Sequence, residues 1–183
     1  WVQWVNRPNL DFRGFSGTVS SGSIRRGDAV RVAPGGKLSR VTRIVTEDGD
    51  IDEAIADQSV TLTLADEIDI SRGNLLSAPD AAPGLSDQFE VNLVWMSSQA
   101  MLPGRSYWLK IGTRTVSATV TDLKYAVNVN TLEHNAAKTL ELNGIGICNI
   151  GVSQPIPFDA YTENRETGGF ILIDRMTNAT VGP

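Results

Sequence analysis

The stretch Val60-Thr-Leu-Thr-Leu64 alternates apolar and polar side chains, so Val60, Leu62 and Leu64 face one side of an extended strand. The stretch Val116-Ser-Ala-Thr-Val-Thr121 repeats this period of two in the second half of the chain. Seventeen glycines and eight prolines separate these and other β-branched runs along the 183 residues. Many short strands with turn residues between them predict an all-β fold of barrels or sandwiches.

A connector divides the chain into two parts of similar length. Ser77-Ala-Pro-Asp-Ala-Ala-Pro-Gly84 holds two prolines, a glycine and several small residues, which is typical of a linker. We therefore predict one domain over residues 1–79, a linker over 80–84 and a second domain over 85–183. The only candidate helices are short, at Ile51–Ile55 and Thr131–Lys138.

The composition excludes several classes of protein. The apolar fraction of 41% argues against disorder, and the net charge of −5 argues against a nucleic-acid binder driven by overall positive charge. No apolar run reaches the length of about 18 residues that a membrane helix needs. The N-terminal Trp1-Val-Gln-Trp4 lacks the basic start of a signal peptide and suggests a chain cut from a longer one. A single cysteine forbids an internal disulfide, so we predict a cytoplasmic protein.

The sequence offers no catalytic, cofactor-binding or metal-binding residues of its own. One histidine, His134, and one cysteine, Cys148, cannot build a Cys/His zinc site. The phosphate-binding pattern Gly-x4-Gly-Lys-[Ser/Thr] does not occur, and Gly35-Gly-Lys37 is better explained as a hairpin turn. The acidic run Glu47–Glu53 does not follow the spacing of a calcium-binding EF-hand loop.

The single cysteine, the single histidine and the aromatic residues all have structural explanations. We predict that Cys148 is a buried residue of an apolar strand and that His134 lies in an exposed loop. The aromatic residues could form a stacking surface for bases, but they are not interleaved with basic residues, so core positions are favoured.

Charge is segregated within the first half. Six basic residues and only one acidic residue, Asp28, lie between Arg25 and Arg43, whereas nine acidic and no basic residues lie between Glu47 and Asp69. The pattern fits either charged strand edges that keep a sheet soluble or a surface that orients a partner. The candidate partner interface consists of Arg25, Arg26, Arg31, Arg40 and Arg43.

Strand alternation assigns faces to three of these arginines. Arg31 points away from Val30 and Val32, and Arg40 points away from Val41. Arg43 shares the face of Val41 unless a bulge intervenes.

The stretch Phe12-Arg-Gly-Phe-Ser-Gly-Thr-Val-Ser-Ser-Gly-Ser-Ile-Arg-Arg-Gly-Asp28 resembles the second domain of translational GTPases of the elongation-factor Tu type. In that domain a Gly-Thr-Val strand runs into Gly-x-[Ile/Val]-x-x-Gly-[Asp/Glu]. Ala54-Ile-Ala-Asp-Gln-Ser-Val60 and Ile70-Ser-Arg-Gly-Asn-Leu75 fit the same domain, with Asp57 standing where glycine is usual. The resemblance implies two consecutive antiparallel β-barrels of the domain 2 and domain 3 type.

Longer motifs are similar to one branch of this family. They are Trp4–Gly17, Ala65–Gly73, Asn130–His134 and Thr167–Thr180. These motifs resemble the large, GTPase subunit of bacterial sulfate adenylyltransferase, which occurs alone or fused to adenylylsulfate kinase in a bifunctional form.

This resemblance implies a role in sulfate assimilation. In that family GTP hydrolysis on the large subunit drives the reaction of ATP and sulfate to adenosine 5′-phosphosulfate and pyrophosphate on a small partner subunit. The P-loop and the guanine-binding motifs, with their GTP and Mg²⁺, belong to an N-terminal domain that this chain lacks. The chain would then be a non-catalytic scaffold that contacts the GTPase domain and the small subunit, with no nucleic acid or membrane among its partners.

Two other functions stay open at this point. The chain could be domains 2 and 3 of a translation elongation factor that binds RNA, although its net charge of −5 and the branch-specific motifs favour the first reading. It could also be a freestanding binding module without an enzyme context.

Overall fold

The computed structural model describes residues 1–128 and 130–183. The described chain divides into two compact units, each containing one seven-stranded sheet. The limits predicted for the two domains, 1–79 and 85–183, stay a prediction. The first unit comprises Trp1–Leu85, Gly112–Arg114 and Pro157–Gly168, and the second comprises Ser86–Ile111, Thr115–Ile156 and Gly169–Pro183.

The first unit contains nine short strands and one turn of 3-10 helix. They are β1 (Trp4–Asn6), β2 (Gly14–Thr18), β3 (Ser23–Arg25), β4 (Ala29–Ala33), β5 (Leu38–Thr46), β6 (Gly49–Ile51), β7 (Glu53–Ile55), β8 (Ser59–Leu64) and β9 (Leu75–Ser77), followed by the 3-10 turn Pro79–Ala81. The main sheet has the order β1-β2-β8-β5-β4-β9, with β6 paired to β5. The strands β3 and β7 form a separate antiparallel ribbon.

Main-chain hydrogen bonds join the two ends of this sheet. The amide of Val2 donates to the carbonyl of Asn74 at 2.8 Å, and the amide of Gly73 donates to the carbonyl of Val2 at 3.0 Å. The sheet therefore curves into a barrel, and side chains facing inward form its core. As predicted, Val60 and Leu62 of β8 are buried in that core.

The second sheet has three long strands and four short ones. They are β10 (Gly84–Val94), β11 (Ser106–Ile111), β12 (Arg114–Val127), β13 (His134–Asn135), β14 (Ile145–Phe158), β15 (Ile171–Asp174) and β16 (Thr180–Gly182). The short helix α1 (Arg165–Gly168) precedes β15 in the chain and belongs to the first unit. The sheet order is β10-β14-β12-β11-β15-β16, with β13 paired to β12.

Main-chain hydrogen bonds also join the two ends of the second sheet. The amide of Met96 donates to the carbonyl of Val181 at 2.8 Å, and the amide of Val94 donates to that of Pro183 at 3.1 Å. The carboxylate of Asp174 holds the turn before β16 by accepting from the amides of Met176 and Thr177, each at 2.9 Å.

The core of the second unit forms as the alternation predicts. Val116, Ala118 and Val120 of β12 are all buried. Trp95 and Tyr107 pack edge to face, with ring centroids 5.7 Å apart. The expectation that the aromatic residues fill cores holds for these two and for Phe15, whereas Trp4 and Tyr161 are exposed.

Both candidate helices are wrong. Residues 51–55 comprise the last residue of β6, Asp52 and the strand β7, in which the buried Ala54 lies between two exposed residues, a period of two. Residues 131–138 contain the strand β13, whose Val127↔His134 pairing attaches it to β12. Leu132 has a positive φ of 60°, which a helix does not tolerate.

Within the described residues, no helix has the length and apolarity needed to cross a membrane.

Cys148 lies in β14, fully buried, and burial raises the pKa of its thiol to about 11. Because the thiolate is the reactive species, we expect Cys148 to resist thiol reagents at pH 8 in the native protein and to react fully in guanidinium chloride. A colorimetric thiol assay with and without denaturant measures this difference. The control is Cys148→Ala combined with Lys110→Cys, which places a thiol at an exposed position of β11 and should react at once. Fast native labelling of Cys148 would contradict the assignment of this strand to the core.

Candidate partner-binding surface

Arg31 and Arg40 lie on the outer face of the first sheet, as predicted. The register of β4 and β5 pairs Arg31 with Leu38 and Ala29 with Arg40, and all four residues are exposed. The intervening Val30 is buried. Alternation along two neighbouring strands therefore presents both guanidinium groups on the same side of the sheet.

A bulge turns Arg43 to the same face. The pairing of β5 with β8 shifts register between Val41 and Arg43, so Thr42 is an extra residue in β5. Val41 and Ile44 are consequently both buried, and Arg43 is exposed. Strict alternation would direct Arg43 into the core unless a bulge intervened. The structure contains that bulge, so Arg43 points outward.

Arg25 and Arg26 lie at the end of β3 and in the turn that follows. The turn is closed by the Arg25 amide, which donates to Oδ2 of Asp28 at 2.8 Å, and by Gly27, whose φ of 96° few other residues adopt. The Arg26 amide donates to the carbonyl of Asp52 at 2.9 Å, so both side chains are anchored on fixed backbone.

The acidic loop Glu47–Glu53 neutralises two of the five arginines. Arg43 binds Asp50 with two hydrogen bonds of 2.7 and 2.8 Å, and Arg25 lies 3.1 Å from Glu53 across the β3–β7 ribbon. A third arginine, Arg40, donates to the carbonyl of Gly27 and gains no carboxylate. The loop is thus an internal partner for part of the cluster.

These contacts shift the pKa values of the two carboxyl groups. Hydrogen bonds from Arg43, with a smaller attraction from Arg43 and Arg26, hold the pKa of Asp50 below its ordinary value. A hydrogen bond from Arg25, with a further one from Ser23, lowers the pKa of Glu53. Both carboxylates are therefore ionised throughout the neutral range and keep their arginines paired there.

Three arginines have no carboxylate bound directly to them, although Arg26 lies near enough to Asp50 to attract it. Among the described residues, Arg26, Arg31 and Arg40 make no salt bridge, and all three are exposed. The surface formed by Arg25, Arg26, Arg31, Arg40 and Arg43, called the arginine face below, therefore retains a positive potential inside an acidic chain. Such a face attracts an anionic surface over long range.

Sequence reasoning missed the contribution of Phe12. The Arg43 guanidinium lies 5.9 Å from the centroid of the Phe12 ring, so a cation–π contact supports the bidentate pair with Asp50. Gly14 makes room for this ring, because a Cβ there would lie 2.8 Å from Cε1 of Phe12. No local sequence signal links Phe12 to Arg43, since the contact arises only from strand pairing.

The described residues contain no group of three His, Cys, Asp or Glu side chains that could hold a metal ion. His134 is exposed as predicted, but it lies in the strand β13 and not in a loop, and its ring stacks on Tyr125 with ring centroids 3.9 Å apart. The His134–Tyr125 stack adds no reactive group to the arginine face.

The two ion pairs can be separated by mutation. We expect Arg43→Ala to raise the pKa of Asp50 toward its ordinary value and to leave the pKa of Glu53 unchanged. Arg25→Ala should raise the pKa of Glu53 and leave the pKa of Asp50 unchanged. The stabilisation from each pair is present above the ordinary carboxyl pKa and is lost as the pH falls through the lowered pKa of the folded state. Carboxyl ¹³C titration by NMR measures both sites in each variant, and each variant serves as the control for the other. A pKa of Asp50 that does not change in Arg43→Ala would contradict the bidentate pairing.

Comparison with known proteins confirms the family resemblance. Residues 88–183 match the family model described as "GTP-eEF1A C-terminal domain-like". A bifunctional enzyme NodQ from Rhizobium sp. (strain N33) is 62% identical over 181 residues, which are 99% of this chain and 28% of that protein. Sulfate adenylyltransferase subunit 1 from Shewanella woodyi is 52% identical over 99% of this chain and 39% of its own length. The chain thus spans less than half the length of these relatives.

Solved structures confirm the predicted fold of two antiparallel β-barrels. The crystal structure of Sup35 complexed with GDP superposes with a TM-score of 0.87, covering 99% of this chain and 45% of Sup35 at 19% identity. The complex of Sup35 with GMPPNP gives a TM-score of 0.84 at 20% identity over 93% of this chain and 42% of that one. At such low identity the likeness concerns the fold alone. The chain belongs to the GTP-eEF1A C-terminal domain-like family, and its homologues include sulfate adenylyltransferase subunit 1 and the NodQ bifunctional enzymes.

Proposed function

We propose that this chain is the two-barrel scaffold of the GTPase subunit of a cytoplasmic sulfate adenylyltransferase. The observation that carries the proposal is the 52% identity to sulfate adenylyltransferase subunit 1 over 99% of the chain. In this role the barrels contact an N-terminal GTPase domain and a small subunit that activates sulfate with ATP. The same part serves the form fused to adenylylsulfate kinase, since NodQ relatives match over the same length.

The residues present do not fit a guanine nucleotide. The one glycine-rich stretch before a lysine, Gly35-Gly-Lys37, connects β4 to β5, and the amide of Gly36 donates to the carbonyl of Val32 at 2.6 Å. An amide used in this way cannot also bind phosphate. We propose that GTP and Mg²⁺ bind a part of the longer GTPase subunit outside this chain, and that residues 1–183 take part in no chemical step of the reaction.

The scaffold role follows from how the barrels are built. A closed sheet has few free edges and satisfies its own main chain, so it moves as a rigid body when a neighbouring domain changes state. The arginine face gives that body an oriented, positively charged surface. We assign to this face the small subunit, whose complementary surface should be acidic.

The first test concerns nucleotides. We expect no measurable binding of Mg²⁺–GTP or Mg²⁺–ATP to the chain of residues 1–183, and no hydrolysis, because it lacks a phosphate-binding loop. Isothermal titration calorimetry measures binding, with the complete GTPase subunit as the positive control. Micromolar affinity of residues 1–183 for GTP would overturn the placement of the nucleotide site.

The second test concerns the partner. In the complete subunit, Arg26→Glu with Arg31→Glu should slow association with the small subunit at low salt by about tenfold or more, because steering depends on uncompensated charge. These two arginines are chosen because their reversal leaves the pairs of Arg25 and Arg43 intact. Stopped-flow association at low and high salt measures the rate, and the difference from wild type should shrink as salt rises.

A matched control separates this effect from net charge. Arg7→Glu with Lys138→Glu makes the same change in formal charge at two exposed positions that are not members of the cluster. It should change the association rate much less. If both double variants slow association equally, or neither does, the arginine face is a solvated surface and the small subunit binds elsewhere.

A further inference from the structure

The outer face of the second sheet carries apolar side chains at positions that point toward solvent. At the end of β10, Leu93 and Trp95 are buried, whereas Val94 and Met96 are 37% and 53% exposed. Alternation along the strand therefore turns Val94 and Met96 outward. On an antiparallel sheet whose other face packs on a core, such outward positions are usually polar.

The apolar positions continue onto the two neighbouring strands. The Trp95 amide donates to the carbonyl of Gly144 at 2.8 Å, so Val94 lies directly beside Ile145 of β14. The register of β14 with β12 then pairs Ile145 with Val127. Ile145 and Val127 are both half-buried, so one row across three strands is apolar.

A second apolar row lies two residues further along β14 and β12. Ile147 pairs with Tyr125, and both are half-buried. The ring of His134 in β13 stacks on Tyr125 with ring centroids 3.9 Å apart, which holds the Tyr125 ring in place. The two rows and Met96 form one surface, called the apolar face below. It consists of Val94, Met96, Tyr125, Val127, Ile145 and Ile147.

The rim of the apolar face is polar and carries no net charge. Glu90 of β10 and Lys124 of β12 form a salt bridge with each other at one end of it. Asn92 and Asn143 are exposed beside the two rows. An asparagine amide both donates and accepts hydrogen bonds. Each rim group therefore finds a matching group on an identical rim, the lysine a glutamate and each amide another amide.

We propose that the apolar face is the contact between two copies of this chain. A dimer with two-fold symmetry uses the same patch on both molecules, so the patch must be self-complementary. Apolar side chains on an open sheet face meet this requirement, and so does the neutral rim. A strongly acidic or basic partner would find no net charge to complement there. The arginine face cannot form such a contact, because its five arginines would repel their own copies.

This contact goes beyond the scaffold role, which needs no second copy, and we expect it to be weak. A standard protein interface takes about 20–30 residues from each partner, which is more than the apolar face and its rim supply. The dissociation constant of the dimer should therefore be on the order of 10–100 μM. Because the contact is mainly apolar, added sodium chloride should not weaken it, whereas association through the arginine face should weaken.

The test is sedimentation velocity of residues 1–183 over a range of concentrations and at low and high salt. Val94→Lys with Met96→Lys should raise the dissociation constant at least tenfold, because like charges from the two copies would meet in the contact. Leu38→Lys with Ile55→Lys makes the same change in charge at two exposed apolar residues of the first unit, and this control should dimerise as the wild type does. Thermal unfolding checks that both double variants keep the fold.

Dilution of ¹⁵N-labelled protein locates the contact by NMR. The amide resonances of Val94, Val127 and Ile147 should move with concentration, and those of Arg31 and Arg40 should stay in place. A chain that is monomeric at millimolar concentration would overturn the proposal. So would equal dimerisation of both double variants, or moving resonances confined to other residues.

One further result would assign the apolar face to a different partner. If the chain alone stays monomeric and the small subunit shifts the resonances of Val94, Val127 and Ile147, the dimer is wrong. The association of the small subunit with the arginine face is measured with other variants, so either proposal can fail while the other stands.

Discussion

The closure of each sheet upon itself is the constraint from which the other features of the chain follow. In the first unit it depends on Val2, which exchanges main-chain hydrogen bonds with residues 73 and 74 at 3.0 and 2.8 Å. Because each sheet is closed, every strand has one face toward the core and one toward solvent. Alternate residues must therefore be apolar and polar. The exposed arginines and the buried Cys148 are both consequences of that division.

The bulge at Thr42 shows how a single irregularity changes which side chains the sheet presents to solvent. Without it, Arg43 would face a core in which Val41 and Ile44 are both buried. A charged guanidinium there would cost several kcal/mol unless it were paired. The extra residue moves Arg43 outward, where it meets Asp50 and Phe12. The same local shift therefore protects the core and completes the arginine face.

The sequence predicted the elements that follow from local pattern and failed where distant residues meet. The alternation in residues 60–64 and 116–121 identified buried strands, and the apolar neighbours of Cys148 predicted its burial. The short segments 51–55 and 131–138 were mistaken for helices, because five to eight residues carry too little periodicity to separate helix from strand. The Phe12–Arg43 contact could not be predicted, since it joins residues far apart in the chain.

The fold balances only part of the charge segregated in the first half of the chain. Arg25 and Arg43 pair with Glu53 and Asp50, whereas among the described residues Arg26, Arg31 and Arg40 form no salt bridge. Exposed ion pairs contribute only about 0–1 kcal/mol each, so the two pairs add little to the stability of the barrel. Their larger effect is to hold two guanidinium groups in fixed positions beside the three others. Because all five arginines are exposed, their charges act over about one Debye length, roughly 8 Å at physiological salt, and the effect of the arginine face depends on ionic strength.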